Sequence, residues 1–232
     1  MITNLVLLSG GLATRLRPLS CSVPKALIEI NGKPFIEHQL ALLKKQGIMD
    51  VIICVGYLGE KIEEFVGNGK KFGVNVKYSY DGDKLLGTAG AIKKALPLLS
   101  EHFFVMYGDS YLPIDLKKVS DFFEDNNKQA LMTVMENNDR WDKSNVIFNG
   151  NKIIKYDKNN IIPEMKFIDF GLGMMNKKCL NNLRENEIFD LADIYKDLID
   201  KGELLGYEVK ERFYEIGSLK GIEEFKNYIN NK

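Results

Sequence analysis

The chain has 232 residues, with 32 Lys and Arg set against 32 Asp and Glu, so its formal net charge is zero. That balance argues against broad electrostatic binding to nucleic acid or an anionic membrane, while leaving room for a local basic pocket. A chain of this length buries roughly 70% of its unfolded surface and needs no disulfide or metal staple. Its three cysteines, Cys21, Cys54 and Cys179, are isolated and lack CxxC spacing, so neither a disulfide framework nor a zinc site is expected. Cys54 lies in the apolar run VIICVGY and reads as a small buried hydrophobe. No signal pattern opens the chain and no apolar run approaches membrane length, so the expected location is the cytoplasm.

NLVLLSGG reads as a buried strand ending in glycines. PFIEHQLALLKKQGIMD places Phe35, Ile36, Leu40 and Leu43 at helical spacing, with Lys44 and Lys45 in the last turn. DVIICVGY is a second strand, residues 58–66 a second helix and VNVKYSY a third strand. A helix over about residues 89–99 follows LGTAGA. HFFVMYGD is a fourth strand, and a helix runs from about Asp115 to Glu124. This alternation implies parallel strands joined by right-handed crossovers. Near Gln129 the pattern changes. QALMTVME, SNVIFNGNKIIKYD and MKFIDFGLGMM read as strands, with Asn149-Gly150 as a hairpin signal. Helices near 190–200 and over Leu219–Tyr228 close the chain.

The expected fold class is α/β. It is one three-layer α/β/α, Rossmann-like domain spanning residues 1–232, with a mixed, mostly parallel central sheet. Residues 1–128 form the nucleotide-binding half and 129–232 a strand-rich acceptor-binding half. In open parallel sheets ligands bind beyond the carboxyl ends of the strands. Three loops fall at such ends: residues 10–19, the region near Gly87, and YGDSY.

Gly10 and Gly11 let a backbone approach a ligand closely, and exposed N–H groups there can bind phosphate oxygens. Thr14 can donate a hydroxyl, and Arg15 offers a planar fork suited to phosphate. The loop is neither a Walker loop, having no GK[ST], nor a dinucleotide fingerprint, having no GxGxxG. Alone, the glycine pair reads as a tight turn with solvated arginines.

Its neighbourhood says more. GGLATRLRPLSCSVPKALIEINGKPFIEHQL resembles the signature of the sugar-1-phosphate nucleotidyltransferases, G-G-x-G-T-R-L-x-P-L-T followed by P-K and G-K-P. Ala13 stands where many members have glycine, and Ser20 where many have threonine. LGTAGA, YGDSY, YDK, GLG and YEIGS follow in the family's order.

The resemblance implies a Mg²⁺-dependent enzyme that joins a nucleoside triphosphate to a sugar 1-phosphate, releasing pyrophosphate. Such a reaction requires in-line positioning and neutralisation of dense negative charge. By the resemblance, Leu8, Gly10, Gly11, Thr14 and Arg15 bind the nucleotide, and Arg15 neutralises charge on the departing pyrophosphate. Lys25 reaches the α-phosphate or the sugar phosphate. Asp109, at a strand's carboxyl end, holds Mg²⁺. Glu215 stands where a second metal-binding aspartate is usual, and its extra methylene puts that ligand's geometry in question. Gly87 and Thr88 contact the base, and Gly90 permits a close helix start. The form of this turn leans toward GTP, and Asp81 or Asp83 could accept hydrogen bonds from a guanine edge. On the acceptor side the resemblance points to Asn145, Asp157, Lys158 and Gly171, with Asp169 flanking them. The family usually has Glu where Asp157 stands.

The leading expectation is guanylyl transfer to a mannose- or heptose-type 1-phosphate for surface polysaccharide synthesis. Cytidylyl, uridylyl or thymidylyl transfer to another sugar phosphate or to a non-sugar phosphate is an alternative. A non-catalytic nucleotide-sugar-binding subunit is a further one, suggested only by Glu215. Expected partners are the small-molecule substrates, with no nucleic acid or membrane, on a monomer or homodimer. His38 and His102 are assigned no chemistry, and Arg17 and Trp141 no role.

Overall fold

A computed structural model describes residues 2–12, 16 and 22–232. Ala13, Thr14, Arg15, Arg17, Ser20 and Cys21, singled out above, lie outside the described residues. In chain order the first half runs β1 (Asn4–Leu8), β2 (Glu29–Ile30), β3 (Lys33–Pro34), α1 (Phe35–Lys45), β4 (Asp50–Val55), α2 (Gly59–Val66), β5 (Asn75–Tyr80), α3 (Gly87–Ala95), β6 (His102–Tyr107), β7 (Ser110–Tyr111) and α4 (Leu116–Asn126). The second half continues with β8 (Ala130–Glu136), β9 (Val146–Asn149), β10 (Lys152–Tyr156), β11 (Phe167–Asn176), α5 (Leu191–Asp200), β12 (Leu204–Val209), β13 (Tyr214–Glu215) and α6 (Leu219–Asn230).

Nine strands form one sheet in the order β5-β4-β1-β6-β11-β8-β12-β10-β9. β5, β4, β1 and β6 are mutually parallel, as their alternation with helices requires. β11 and β10 oppose the common direction; the other strands share it. The strands of the two halves lie side by side in this sheet and join where β11 pairs antiparallel with β6.

The sheet is covered on both faces, which is why its central strands are apolar throughout. Leu5 and Leu7 pack with α1, α2 and α4, through residues such as Leu40, Ile62 and Phe123. Val6, one step along the pleat, packs on the opposite face with Ile92 of α3 and Tyr195 of α5. A third cluster joins Leu16, Phe35 and Tyr111 to Ile222 and Phe225 of α6. Among the described residues, three α-helices start on side-chain caps. Asp115 accepts from the N–H groups of Lys117 and Lys118, Asp190 from Ala192, and Ser218 from Gly221.

The structure departs from the sequence expectations in a few places. β12 was not foreseen; ELLGYEV lies parallel to β8, register Leu204 to Ala130. The hairpin loop is Gly150-Asn151 rather than Asn149-Gly150, since Asn149 pairs with Lys152. α3 begins at Gly87, and a 3-10 turn over Leu96–Leu98, carrying Pro97, takes over after Ala95. α4 and α6 extend to Asn126 and Asn230.

Candidate active site

β1, β5 and β6 end at the same side of the sheet. Beyond them lies a cavity of about 240 Å³, lined by Leu8, Gly10, Gly11, Lys25, Asp81, Gly87, Thr88 and Asp109 among others. Eight positions expected from the sequence to bind nucleotide or metal, or to act in catalysis, therefore share one wall-and-floor surface. Ser9, Cys54, Tyr107 and Gly108 also line the cavity and were not assigned there by sequence reasoning. The buried Oγ of Ser9 has no hydrogen-bond partner among the described residues. Cys54 is 1% exposed and its Sγ points at the Ala91 carbonyl oxygen. Burial pushes its thiol well above the ordinary range, with the Asp81 charge adding to the effect.

At one end of the cavity, Lys25 Nζ donates to Asp109 Oδ2 at 2.9 Å. Lys25 opens a 3-10 turn directly after Pro24, and Asp109 leaves the end of β6. Glu215 reaches the same spot through the strand pair β7–β13, where it stands opposite Ser110. The Ile216 N–H donates to the Asp109 carbonyl oxygen at 2.9 Å and tightens that junction. The Glu215 carboxylate curls back over the start of α6. Ser218 Oγ donates to Oε1 at 2.6 Å, and the Gly217 N–H donates to Oε2. A helix N-terminus favours such a charge. The longer Glu side chain is thus folded back rather than extended outward.

Gly217 is what lets these groups converge. A Cβ there would lie 2.7 Å from Glu215 Oε2, 3.3 Å from Asp109 Oδ2 and 3.5 Å from Lys25 Nζ. Two carboxylates and an ammonium therefore surround one bare backbone atom. Among the described residues, no group of three or more His, Cys, Asp or Glu side chains could hold a metal. Mg²⁺ does not ask for one. It takes hard oxygens, commonly one or two carboxylates completed by substrate phosphates and water. Asp109 and Glu215 fit that donor set.

At the other end, the base turn is fixed by backbone. Gly87 has φ +72°, and a Cβ there would lie 2.5 Å from the Phe189 carbonyl oxygen. Any other residue would be both strained and obstructed. Gly90 meets the Glu187 carbonyl in the same way, at 2.6 Å, so α3 does start in close contact with a neighbouring segment. Asp81 is 8% exposed; its Oδ2 accepts from the Leu86 N–H at 3.2 Å. Burial raises its carboxyl, while that hydrogen bond and Lys94 pull the other way. Lys94 Nζ donates to the Asp81 carbonyl oxygen at 3.1 Å. Asp83 is exposed and does not line the cavity.

The expected acceptor residues gather where β9, β10 and β11 meet. Asn145 Oδ1 accepts from the Asp169 N–H at 2.9 Å, and the Asn145 carbonyl accepts from the Asp157 N–H at 3.0 Å. β11 is irregular between Asp169 and Gly173, and bulges of this kind re-aim side chains beside binding sites. Asp169 accepts there from the Gly171 N–H at 3.0 Å and from Tyr156 OH at 3.2 Å, and burial raises its carboxyl. Gly171 faces Ser110 and Tyr107; a Cβ would lie 3.3 Å from Ser110 Oγ. The Asp157 carboxylate is turned onto its own loop. It accepts from the N–H groups of Asn159 and Asn160 at 2.9 and 3.0 Å, which holds its carboxyl down at about 2. Lys158 Nζ lies 3.5 Å from Asp190 Oδ1 and 5.7 Å from the centre of the Tyr107 ring.

Trp141 stacks under Arg212, whose guanidinium carbon is 3.6 Å from the ring centre. It anchors the segment leading to β13 rather than lining the cavity. His38 bonds to the Ile30 carbonyl and His102 to Asn176, both away from the cavity. Among the described residues, no helix is long and apolar enough to cross a membrane.

Comparison with known proteins places the chain in a family. The family model described as nucleotidyl transferase matches residues 4–155. The chain is 30% identical to D-glycero-alpha-D-manno-heptose 1-phosphate guanylyltransferase of Campylobacter jejuni, over 91% of this chain and 93% of that one. It is also 30% identical to the mannose-1-phosphate guanylyltransferase catalytic subunit beta of Drosophila melanogaster, over 94% of this chain but 60% of that one. Among solved structures, HddC from Yersinia pseudotuberculosis superposes with a TM-score of 0.81 at 23% identity, covering 98% of this chain and 100% of that one. That likeness shares the three-layer fold. The chain belongs to the nucleotidyl transferase family and is an enzyme of its sugar-1-phosphate nucleotidyltransferase branch.

Proposed function

We propose that the chain transfers GMP from GTP to a mannose- or heptose-type 1-phosphate with the help of Mg²⁺, releasing pyrophosphate. It would supply a nucleotide sugar for surface polysaccharide synthesis, acting in the cytoplasm as a monomer or homodimer. The observation that carries the reading is the convergence of Lys25, Asp109 and Glu215 around Gly217, at one end of a cavity edged by Gly10 and Gly11. That arrangement suits a reaction whose main demand is charge neutralisation.

In this reading an oxygen of the acceptor phosphate attacks the α-phosphorus, the bond to the β-phosphate oxygen breaks, and pyrophosphate leaves on the opposite side. Gly10 and Gly11 admit the triphosphate to the backbone, with Thr14 and Arg15 completing the grip by family resemblance. Lys25 bears on the oxygens of the reacting phosphate. Asp109 and Glu215 would hold Mg²⁺, which supplies Lewis-acid neutralisation of the phosphate oxygens when bound. Leu8, Asp81, Gly87 and Thr88 form the base subsite. A buried carboxylate there suits guanine, which presents two adjacent N–H donors to one acceptor group. Asn145, Asp157, Lys158 and Gly171 form the acceptor subsite. Within it, Asp157 acts through the shape of its loop, because its oxygens are already engaged.

Pyrophosphate release across GTP, ATP, CTP and UTP or dTTP, with a panel of sugar 1-phosphates and Mg²⁺, tests the proposal. Turnover with a pyrimidine nucleotide alone would keep the reaction and overturn the base. No turnover with any pair would overturn the reaction itself.

A further inference from the structure

Residues 187–191, which lead into α5, touch both the base turn and Lys158. The Phe189 N–H donates to the Leu86 carbonyl at 3.0 Å, and the Phe189 carbonyl accepts from the N–H groups of Ala89 and Gly90 at 3.0 and 3.3 Å. Thr88 Oγ1 accepts from the Leu191 N–H at 2.7 Å and donates to Asp190 Oδ1 at 3.4 Å. The same Asp190 oxygen accepts from the Ala192 N–H at 2.8 Å and lies 3.5 Å from Lys158 Nζ. One carboxylate oxygen thus faces the base turn, the start of α5 and the lysine of the acceptor side.

A cap alone would not require this residue. Asn or Ser caps a helix about as well as Asp. What the carboxylate adds is charge, and the cation it faces is Lys158. The rings of Tyr107 and Tyr156 lie 5.7 and 6.0 Å from the same ammonium, within reach of its charge.

We propose that Asp190 is a positioning residue that registers the acceptor-phosphate lysine, Lys158, against the base turn at Thr88. The inference rests on the reading of Lys158 as an acceptor contact. Asp190 touches neither the reacting atoms nor the base. It holds Thr88 of the base turn and Lys158 of the proposed acceptor subsite on a single oxygen.

The test uses the full-length protein. Asp190→Asn keeps an oxygen for the cap and for Thr88 but loses the charge. It should lower kcat/KM for the acceptor two- to five-fold, the scale of an exposed ion pair. KM for the nucleotide and the melting temperature should stay at wild-type values. Asp190→Ala removes every contact, so the nucleotide KM should rise as well. In the Asp190→Asn background, Lys158→Met should cost less than it does in the wild type. A wild-type acceptor kcat/KM in Asp190→Asn, or strictly additive effects of the two substitutions, would reduce Asp190 to a helix cap and overturn the proposal. Absence of wild-type turnover would instead remove the parent reading, and this inference with it.

Discussion

Gly217 shows how much of the site depends on one missing methyl group. Lys25, Asp109 and Glu215 all lie within 3.5 Å of where its Cβ would be. Gly217→Ala is therefore expected to push the Glu215 carboxylate off the start of α6 and to weaken the apparent Mg²⁺ affinity of turnover by about tenfold or more, the scale of disturbing a ligand's support. A Mg²⁺ titration of initial rates checks this. Asp109→Asn should act more severely, lowering turnover by roughly 10²–10³, as for loss of one transition-state charge stabiliser. An unchanged Mg²⁺ titration in Asp109→Asn would remove it from the metal site. Asp109 and Lys25 were legible from the signature in the sequence. Their 2.9 Å contact was not, because it joins residues 84 positions apart. Ser9 and Asp190 carried weaker signals. Asp190 stands before the apolar-periodic run LADIYKDLI, which marks a helix cap but says nothing of Lys158.

Asp157 supplies a pH dependence at the same scale. Its folded carboxyl sits at about 2, held down by the N–H groups of Asn159 and Asn160. An unfolded Asp titrates near 4. A depressed carboxyl contributes stability that is fully present above the unfolded value and lost as pH falls through the folded one. The 157–160 loop should therefore stay closed at neutral pH and open between about pH 4 and pH 2. Hydrogen exchange of the Asn159 and Asn160 amides across that window reads it directly. Protection unchanged down to pH 2 would contradict the assignment.

At the scale of elements, the segment 187–191 is a strut between α3 and α5. Gly87→Ala places a Cβ 2.5 Å from the Phe189 carbonyl oxygen at φ +72°. A strained backbone of that kind costs about 1–3 kcal/mol, so the melting temperature should fall by roughly 2–12 °C for a chain of this size. The nucleotide KM should rise with it, since the base turn is what moves. Helices and central strands were read well from the sequence, because their apolar periods of 3.6 and near-continuous runs reflect burial on one stripe or on both faces. β12 was missed for a physical reason. ELLGYEV is short, and Gly206 interrupts it where Phe148 and Ile153 pack closely. A glycine that packs under neighbours looks, in sequence, like the end of a strand.

For the whole molecule, the pairing of β6 with β11 binds the two halves of the chain into one sheet. Asp109 follows β6 and belongs to the first half; Gly171 and Lys158 come from the second. The proposed site sits where the two meet, so a ligand spanning it should stabilise the whole fold. A nucleotide sugar at a hundred times its dissociation constant should add about 2.7 kcal/mol. A thermal-shift series reads this, and the guanosine nucleotide sugars should move the transition furthest.

The most direct measurement is Mg²⁺-dependent pyrophosphate release by the wild-type chain from GTP and a mannose- or heptose-type 1-phosphate. Turnover is expected with that pair, falling to background in EDTA and collapsing in Asp109→Asn. Folded protein that releases no pyrophosphate with any nucleotide and any sugar 1-phosphate would contradict the account.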